Sequence, residues 1–149
     1  MAVKKYNVSD QEANRLYGKY VGNWGGEATV WRFDAIKNGN VVGTRKLSPS
    51  ARLHLEVRNS SSLLKEGDTY DMASIRIRIL DVNGNIAPYA QLPVEYRAEG
   101  VIEIVGPHVS TAEGGMTGTY VRTIGKTGTG KLAIHVDGLE DVVIDYTVA

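Results

Sequence analysis

The most constraining feature of this sequence is a repeated alternation of apolar and polar residues with a period of two. In residues 52–58, Leu53, Leu55 and Val57 alternate with polar or charged side chains. Because successive side chains of a β-strand point to opposite faces, this pattern predicts a half-buried strand. The same alternation recurs at residues 74–79, 101–105, 131–136 and 142–148. The chain is therefore predicted to consist mainly of strands.

Turn signals between these segments indicate how the strands connect. Asn38-Gly39 and Asn83-Gly84 can both adopt the positive φ values of a two-residue type I′ turn, so each is predicted to join antiparallel neighbours. The chain contains about nine such strands and no long amphipathic helix between them, which predicts an all-β, antiparallel, immunoglobulin-like β-sandwich. A closed barrel would have the same periodicity and is the alternative.

The N-terminal residues follow a different pattern. Ser9 and Glu12 have the spacing of a capping box, and Gly18 lies where a helix of at most two turns would end. Because so short a helix is marginal by itself, residues 1–22 are predicted to form a lead-in segment with a short helix or an irregular path. Residues 23–149 are predicted to form the sandwich domain.

Charge and composition exclude several classes of partner. The 149 residues include 17 basic and 17 acidic side chains, so no net field attracts nucleic acid or an anionic membrane surface. The absence of cysteine excludes disulfides and thiolate sites. No apolar run approaches the roughly 20 residues of a membrane span, and no apolar leader follows Met1. These features favour a bacterial cytoplasmic location.

A glycine-rich string at residues 125–131 resembles the start of a phosphate-binding loop. The string GKTGTGK follows a predicted strand, but Leu132 stands where the motif requires Ser or Thr for magnesium. The residues that follow alternate like a strand, so no helix N-terminus faces the phosphates. The segment is therefore predicted to be a hairpin.

Other polar clusters also have simpler explanations. Asp81, Asn83 and Asn85 have the spacing of a calcium loop, but Leu92 stands in place of its bidentate Glu, so a turn is predicted; a hard cation held by that turn is the alternative. His54, His108 and His135 are far apart in sequence and are predicted to be solvated. The same holds for scattered carboxylates at strand edges and turns, which are Glu27, Asp34, Glu99, Glu103 and Glu113. No catalytic residue, cofactor site or metal site is predicted.

The two tryptophans are the candidate ligand-contacting side chains. An exposed indole ring can stack on a sugar while its N–H donates a hydrogen bond, so Trp24 and Trp31 are candidate sugar-stacking residues. Trp31 and Phe33 lie two residues apart on one face of a strand, which favours burial of Trp31 in the core. Trp24 is flanked by a glycine-rich loop, and its environment is less determined.

Several strings together resemble the C-terminal immunoglobulin-like region of glycoside hydrolase family 2 β-galactosidases. No single string is decisive, but their order and spacing extend from about residue 24 to the C-terminus. They are WRFD at 31–34, GDTYDMASIRI at 67–77, DVNGN at 81–85, GVIEIVGP at 100–107 and GGMTGTYVRTIG at 114–125.

The resemblance implies a role without catalysis for this chain. Members of that family place a jelly-roll domain, immunoglobulin-like domains and a TIM barrel before such a region, and two glutamates of the barrel hydrolyse β-galactosides with retention. No catalytic residue is carried over, because none of the strings above contains that pair. The resemblance implies an accessory domain that packs on the catalytic barrel and other domains of a parent enzyme or supports its oligomer.

Two functions remain open from the sequence. The first is this non-catalytic accessory role, for which we expect an exposed apolar patch where the barrel would dock and a tendency of the isolated chain to self-associate. The second is a carbohydrate-binding module that uses exposed aromatic side chains, including Trp24, Trp31, Tyr17 and Tyr20.

Overall fold

The alternating segments form strands in a computed structural model that describes residues 8–22 and 29–149. Its elements are α1 (Asp10–Tyr20), β1 (Trp31–Lys37), β2 (Asn40–Leu47), β3 (Leu53–Asn59), β4 (Leu63–Leu64), β5 (Met72–Asp81), β6 (Pro93–Gly100), β7 (Ile102–Val105), β8 (Val109–Thr111), β9 (Met116–Thr123), β10 (Gly128–His135) and β11 (Val142–Val148).

These elements belong to two units. The unit Met1–Pro49 contains α1, β1 and β2, and the unit Ser50–Ala149 contains β3 to β11. The predicted domain boundary between residues 22 and 23 stays a prediction.

Helix α1 begins as the sequence indicates but ends later. The Glu12 backbone N–H donates to Ser9 Oγ at 3.2 Å, and the Glu12 carboxylate pairs with Arg15 at 2.7 Å. The predicted end at Gly18 is wrong, since the helix runs for 11 residues to Tyr20. An exposed glycine costs a helix about 1 kcal/mol but does not break its hydrogen bonds. The last turn instead closes where the Gly22 N–H donates to the Tyr17 carbonyl at 2.8 Å.

Strands β1 and β2 form the predicted hairpin. Asn38 and Gly39 have φ values of 51° and 78°, which confirms the two-residue type I′ turn. The predicted burial of Trp31 is wrong, because Trp31 is 50% and Phe33 54% exposed. The cross-strand neighbour of Trp31 is Leu47, and a single hairpin has no second layer to cover that pair.

The second unit is the predicted antiparallel sandwich. One sheet has four strands in the order β3-β5-β9-β7, and the other has five in the order β4-β11-β10-β6-β8. All pairings are antiparallel except a short parallel contact between β4 and the end of β11. The all-β, immunoglobulin-like sandwich predicted from the sequence is confirmed.

The core lies between the inner faces of the two sheets. Ile75, Ile77 and Ile79 of β5 are almost fully buried, and so are Leu132 and Ile134 of β10. Burying one such side chain contributes about 1.5–3 kcal/mol, so this layer is the main source of stability. The alternation in residues 74–79 and 131–136 therefore predicted the correct inward faces.

Buried hydroxyl groups are hydrogen-bonded across the core. Tyr146 donates to Asn59 Oδ1 at 3.0 Å, which ties β11 to the end of β3, and burial raises the pKa of Tyr146 to about 12. The Tyr96 hydroxyl contacts Ser110 Oγ at 2.7 Å, and Ser110 contacts Thr117 Oγ1 at 2.8 Å. Within residues 8–22 and 29–149, no buried side-chain nitrogen or oxygen lacks a partner.

Two other predicted hairpins have different outcomes. Asn83-Gly84 closes a short antiparallel return, in which Leu80 pairs with Ile86 and the Ala87 N–H donates to the Ile79 carbonyl at 2.9 Å. Of the pair only Gly84 has a positive φ, so the turn is not of type I′, and the next strand, β6, lies in the other sheet. The segment 125–131 leads from β9 in one sheet to β10 in the other, so its hairpin assignment is wrong. Turn residues mark where a chain bends, and they do not specify which sheet receives the next strand.

A tight bend at Gly114-Gly115 precedes β9, as the sequence indicates. Both residues have positive φ values, 59° and 78°. A Cβ atom on Gly115 would lie 2.5 Å from the Ala87 carbonyl oxygen, whereas one on Gly114 would meet no heavy atom within 4 Å. Only Gly115 is therefore required for both its backbone conformation and its close contact.

This pair provides a matched test of backbone packing. We expect Gly114→Ala to lower the free energy of unfolding by about 1 kcal/mol, from left-handed strain alone. Gly115→Ala should lower it by about 3 kcal/mol, because the backbone near Ala87 must also move. Urea unfolding of both variants measures the difference, and equal losses would contradict the close contact.

Candidate functional site

Of the two candidate tryptophans, the structure describes only Trp31. Trp24 lies outside the described residues. Trp31 begins β1, and half of its surface is exposed next to Leu47. Tyr17 and Tyr20 on α1 are also exposed, at 61% and 52%. Exposure of Trp31 leaves its ring available to a ligand, which burial in a core would have prevented.

The phosphate-loop resemblance has a physical explanation in Glu66. The Gly125 backbone N–H donates to Glu66 Oε2 at 2.7 Å. Hydrogen bonds from the Thr123 side chain and from the backbones of Gly125, Gly67 and Lys126 hold the Glu66 pKa below its ordinary value. The glycine-rich backbone thus binds the protein's own carboxylate, and the segment that follows is strand β10. A bound phosphate would compete with Glu66 for these donors.

The Asp81 loop is a self-contained turn, as predicted. Asp81 Oδ1 accepts hydrogen bonds from the backbones of Asn83, at 2.8 Å, and Asn85, at 2.9 Å. Burial opposes ionisation of Asp81, but these bonds outweigh it and lower its pKa. In the described part of the chain, no group of three or more histidine or acidic side chains is arranged to hold a metal ion.

The histidines remain separate, and His135 has a specific partner. Its Nδ1 atom lies 2.6 Å from Asp141 Oδ1. The hydrogen bond and negative charge of Asp141 raise the pKa of His135. His54 and His108 are exposed, in agreement with the predicted solvated positions.

The surface with the most distinctive chemistry is the outer side of the four-stranded sheet, which we call the outer four-stranded face. Its side chains occupy the strand positions that alternate with the buried ones. They are His54, Glu56 and Arg58 on β3, Met72, Ser74, Arg76 and Arg78 on β5, Glu103 and Val105 on β7, and Met116, Gly118, Tyr120 and Arg122 on β9.

Apolar side chains cluster at one end of this face. The register places Tyr120 opposite Val105 on one side and Ser74 on the other, with Met72 one row away. Tyr120 is 52% exposed, and Met72 and Val105 also present apolar surface to solvent. A cluster of exposed apolar side chains on a sheet is typical of a protein or ligand contact.

Arginines surround this apolar cluster. Arg122 donates to Glu103 at 2.6 Å, and its guanidinium lies 5.2 Å from the centre of the Tyr70 ring. Glu56 binds both Arg58, at 3.0 Å, and Arg78. Partial burial opposes ionisation of Glu56, but the hydrogen bonds from both arginines lower its pKa.

Arg76 is the cation on this face that makes no hydrogen bond or ion pair with another described residue. It stands opposite Gly118, beside a shallow groove of about 420 Å³ that Ser74 and Tyr120 also line. The groove cannot be filled by a side chain at position 118, since a Cβ there would lie 2.5 Å from the Ile75 carbonyl oxygen. The groove beside Arg76 and Tyr120 is therefore maintained by the absence of a side chain at Gly118.

The opposite face of the sandwich has an ordinary solvated character. Its outward positions on β6, β10 and β11 carry two exposed ion pairs, with Lys131 3.8 Å from Asp145 and Arg97 3.7 Å from Glu95, and a single large apolar side chain, Val143. Exposed pairs of this kind contribute little to stability and keep a surface soluble. The contrast identifies the outer four-stranded face as the candidate functional surface.

The sequence contained a signal for this surface that the prediction did not use. Residues 116, 118, 120 and 122 share the outward face of β9, where Met116 and Tyr120 are apolar. Two apolar residues in the polar phase of one strand predict adjoining exposed apolar surface, which marks a contact site when neighbouring strands extend it. The position of Tyr120 beside Met72 and Val105 depends on the sheet order, which the sequence did not reveal.

None of the described helices is both long and apolar enough to span a membrane.

Comparisons with curated proteins find similarity to β-galactosidases. No protein-family model matches the chain. A β-galactosidase of Thermoanaerobacter pseudethanolicus is 29% identical over 91 residues, which are 61% of this chain and 12% of that protein. A β-galactosidase of Rhizobium radiobacter is 29% identical over 116 residues, covering 72% of this chain and 78% of that protein. The chain therefore spans a small part of the first relative.

Solved structures share the fold at low sequence identity. A β-glycosidase from Bacteroides vulgatus has a TM-score of 0.67 and 18% identity, and the match covers 82% of this chain and 18% of that one. A glycosyl hydrolase family 2 member from Bacteroides cellulosilyticus has a TM-score of 0.64 and 18% identity, covering 80% and 17%. A glycoside hydrolase family 2 β-glucuronidase has a TM-score of 0.61 and 17% identity, covering 83% and 14%.

These findings confirm the predicted resemblance to the C-terminal immunoglobulin-like domain of glycoside hydrolase family 2 β-galactosidases. The curated relatives carry the resemblance in sequence. The solved structures are only 17–18% identical to this chain, so they support the fold alone.

The Glu66 carboxylate provides a pH-dependent test of the loop it holds. Because its folded pKa lies below the ordinary value of 4.5, Glu66 contributes stability above that pH and loses it as the pH falls through the folded pKa. We expect Glu66→Gln to lower the thermal midpoint at pH 7 and the difference from the parent to shrink in acid. The exposed Glu140→Gln serves as the control. A difference independent of pH would contradict the anchoring role.

Proposed function

We propose that this chain is a non-catalytic accessory domain of a β-galactosidase-like glycoside hydrolase, and that it supports the catalytic barrel or the oligomer of that enzyme. The proposal rests on two observations together: residues 50–149 form a two-sheet sandwich, and the chain matches only 12% of a β-galactosidase. A domain of this kind contributes surface and stability, while the chemistry belongs to another part of the enzyme.

The acidic side chains of the chain support a role without hydrolysis. A retaining glycosidase requires two carboxyl groups about 5–5.5 Å apart, one of which protonates the leaving group. Glu56 and Glu103 are bound to arginines, and Glu66 and Asp81 hold loops together. Each pKa shift resolved among these four is downward, which is opposite to what a general acid needs.

Hydrolysis by the isolated chain is the simplest test of this role. We expect the purified 149-residue chain to release no product from a chromogenic β-galactoside above the buffer rate. Turnover that follows the chain through purification, and that is lost when an acidic residue is replaced, would contradict the proposal.

The outer four-stranded face is the surface we assign to docking on the barrel. It combines the apolar side chains Met72, Val105 and Tyr120 with arginines that can pair with acidic groups of a partner. Aromatic and arginine side chains are also the types that contribute most to protein interfaces. The charged opposite face has fewer of these features.

Substitutions on the two faces distinguish docking from a general effect on stability. In a protein that contains both this domain and the barrel, Tyr120→Asp should weaken domain association by about 2 kcal/mol and lower the thermal midpoint for loss of activity. Lys131→Gln on the opposite face is the control and should change neither. In the isolated chain, both variants should unfold within about 0.5 kcal/mol of the parent because both positions are exposed. Equal effects of both substitutions on the barrel would refute docking through this face.

The exposure of Trp31 favours a second candidate function, carbohydrate binding. Its half-exposed ring belongs to the hairpin unit, whereas the docking surface proposed above belongs to the sandwich unit. If this function holds, calorimetric titration with lactose should give saturable heat that Trp31→Ala abolishes and Arg32→Ala retains. Trp24→Ala tests the other candidate ring in the same way. An absence of heat at millimolar sugar would leave the accessory role alone.

A further inference from the structure

One side of the sandwich is left open beside β11. This strand pairs along its full length with β10, but on its other side β4 contacts only Thr147 and Val148. The Thr147 N–H donates to the Ser62 carbonyl at 2.9 Å and the Ala149 N–H to the Leu64 carbonyl at 3.0 Å. By strand alternation, the backbone groups of Val143 and Asp145 point to this same side. No described strand pairs with them there.

The neighbouring edge of the other sheet is open as well. Within the described residues, β3 pairs with β5 alone, so the outer edge of β3 is free. The hydrogen bond from Tyr146 to Asn59 shows that this edge lies next to β11. Two free strand edges, one from each sheet, therefore border the same opening.

A groove of about 350 Å³ runs between these edges. Its walls include Leu53 and Leu55 of β3, with Leu139 and Val142 from the start of β11 and the loop before it. All four are only partly buried and pack against the main core. Partly exposed apolar side chains beside unpaired backbone can receive an added β-strand, whose backbone pairs with the edge while its alternate side chains cover the apolar ones.

The rim of the groove is acidic. Glu140 and Asp141 line it, and Asp137 and Asp145 lie nearby in sequence on the same loop and strand. Asp141 contacts His135 Nδ1 at 2.6 Å. Asp145 lies 3.8 Å from Lys131, and both of those side chains are well exposed. On the β3 side, His54 lines the groove, and Glu56 is bound to arginines. The groove lining thus contains two carboxylates, Glu140 and Asp141, and one histidine, His54, which favours a cationic occupant.

We propose that an extended polypeptide segment with alternating apolar and basic side chains adds as a strand to the free edge of β11. Its backbone pairs with Val143 and Asp145, its apolar side chains cover Leu53 and Leu55, and its basic side chains face Glu140 and Asp141. The segment belongs to a separate polypeptide. The inference is independent of the proposed function, because it uses a different surface from the outer four-stranded face.

A short synthetic peptide tests this edge directly on the isolated chain. The probe is a capped peptide of about six residues, alternately valine and lysine, which matches the usual length of a strand. In nitrogen–proton NMR spectra, we expect saturable shifts centred on the Val143 and Asp145 amides and slower exchange of those amides with solvent. A peptide of the same length with glutamate in place of lysine should bind at least about tenfold more weakly.

An edge proline separates strand addition from contact with side chains. Val143→Pro removes the N–H that points away from β10, so the pairing of β10 with β11 is retained while the edge is blocked. We expect at least about tenfold weaker binding by this variant and nearly unchanged binding by Val143→Ala. Far-ultraviolet circular dichroism verifies that both variants are folded, and Glu140→Gln, which leaves the backbone intact, should weaken the lysine peptide selectively.

Several results would overturn the proposal. These are equal binding by Val143→Pro and Val143→Ala, equal binding of the lysine and glutamate peptides, or no saturable shift at millimolar peptide. Protection of the Val143 and Asp145 amides that rises with protein concentration, without peptide, would identify a second copy of the chain as the occupant instead.

Discussion

The structure depends on burial of the inward side chains of β5 against the facing sheet. Ile75, Ile77 and Ile79 occupy every second position and are almost completely buried, with Leu132 and Ile134 in the same core. A one-residue shift in the register of β5 would expose all three isoleucines and bury Arg76 and Arg78, at the cost of placing two cations in an apolar layer. This single constraint determines which side chains remain on the outside of the four-stranded sheet.

The outward positions of that sheet are therefore free to vary in chemistry, and they differ from those of the opposite sheet. Met72, Val105 and Tyr120 form an apolar cluster among arginines, whereas Lys131 and Asp145 on the other side form an exposed ion pair. Folding of the core requires only that the outer faces remain in solvent, and polar side chains on both faces would suffice for that. The apolar cluster on one face is therefore best explained by a contact. The docking that we propose for this face accounts for the difference.

The sequence predicted the strands and their inward faces because alternation is a local property. It predicted the Asn38-Gly39 turn for the same reason, since positive φ values belong to those two residues. It failed where the answer depended on distant parts of the chain. Alternation indicates that Trp31 and Phe33 lie on the same face of a strand. It does not show whether a second layer covers that face, and in the structure the Trp31 ring is half exposed.

The connections were mispredicted for a related physical reason. A glycine-rich bend is equally suited to a hairpin and to a crossing between sheets, and the segment 125–131 crosses. Its hydrogen-bond partner, Glu66, lies 59 positions away, so no local pattern could identify it. The outer four-stranded face was missed likewise, because Met72, Val105 and Tyr120 become neighbours only through the order β5-β9-β7. Strands β5 and β7 each present a single large apolar residue there, and β9 presents Met116 and Tyr120.

Hydroxyl-radical footprinting measures whether the outer four-stranded face is covered in a barrel-containing enzyme, as we propose. Methionine and tyrosine side chains are readily oxidised when exposed, and Met72, Met116 and Tyr120 are all exposed in this chain. We expect these three residues to be oxidised in the isolated chain and protected in the barrel-containing protein, while His135 on the opposite face is oxidised in both. Equal oxidation of Met72, Met116 and Tyr120 in the two proteins would show that this face is not the docking surface.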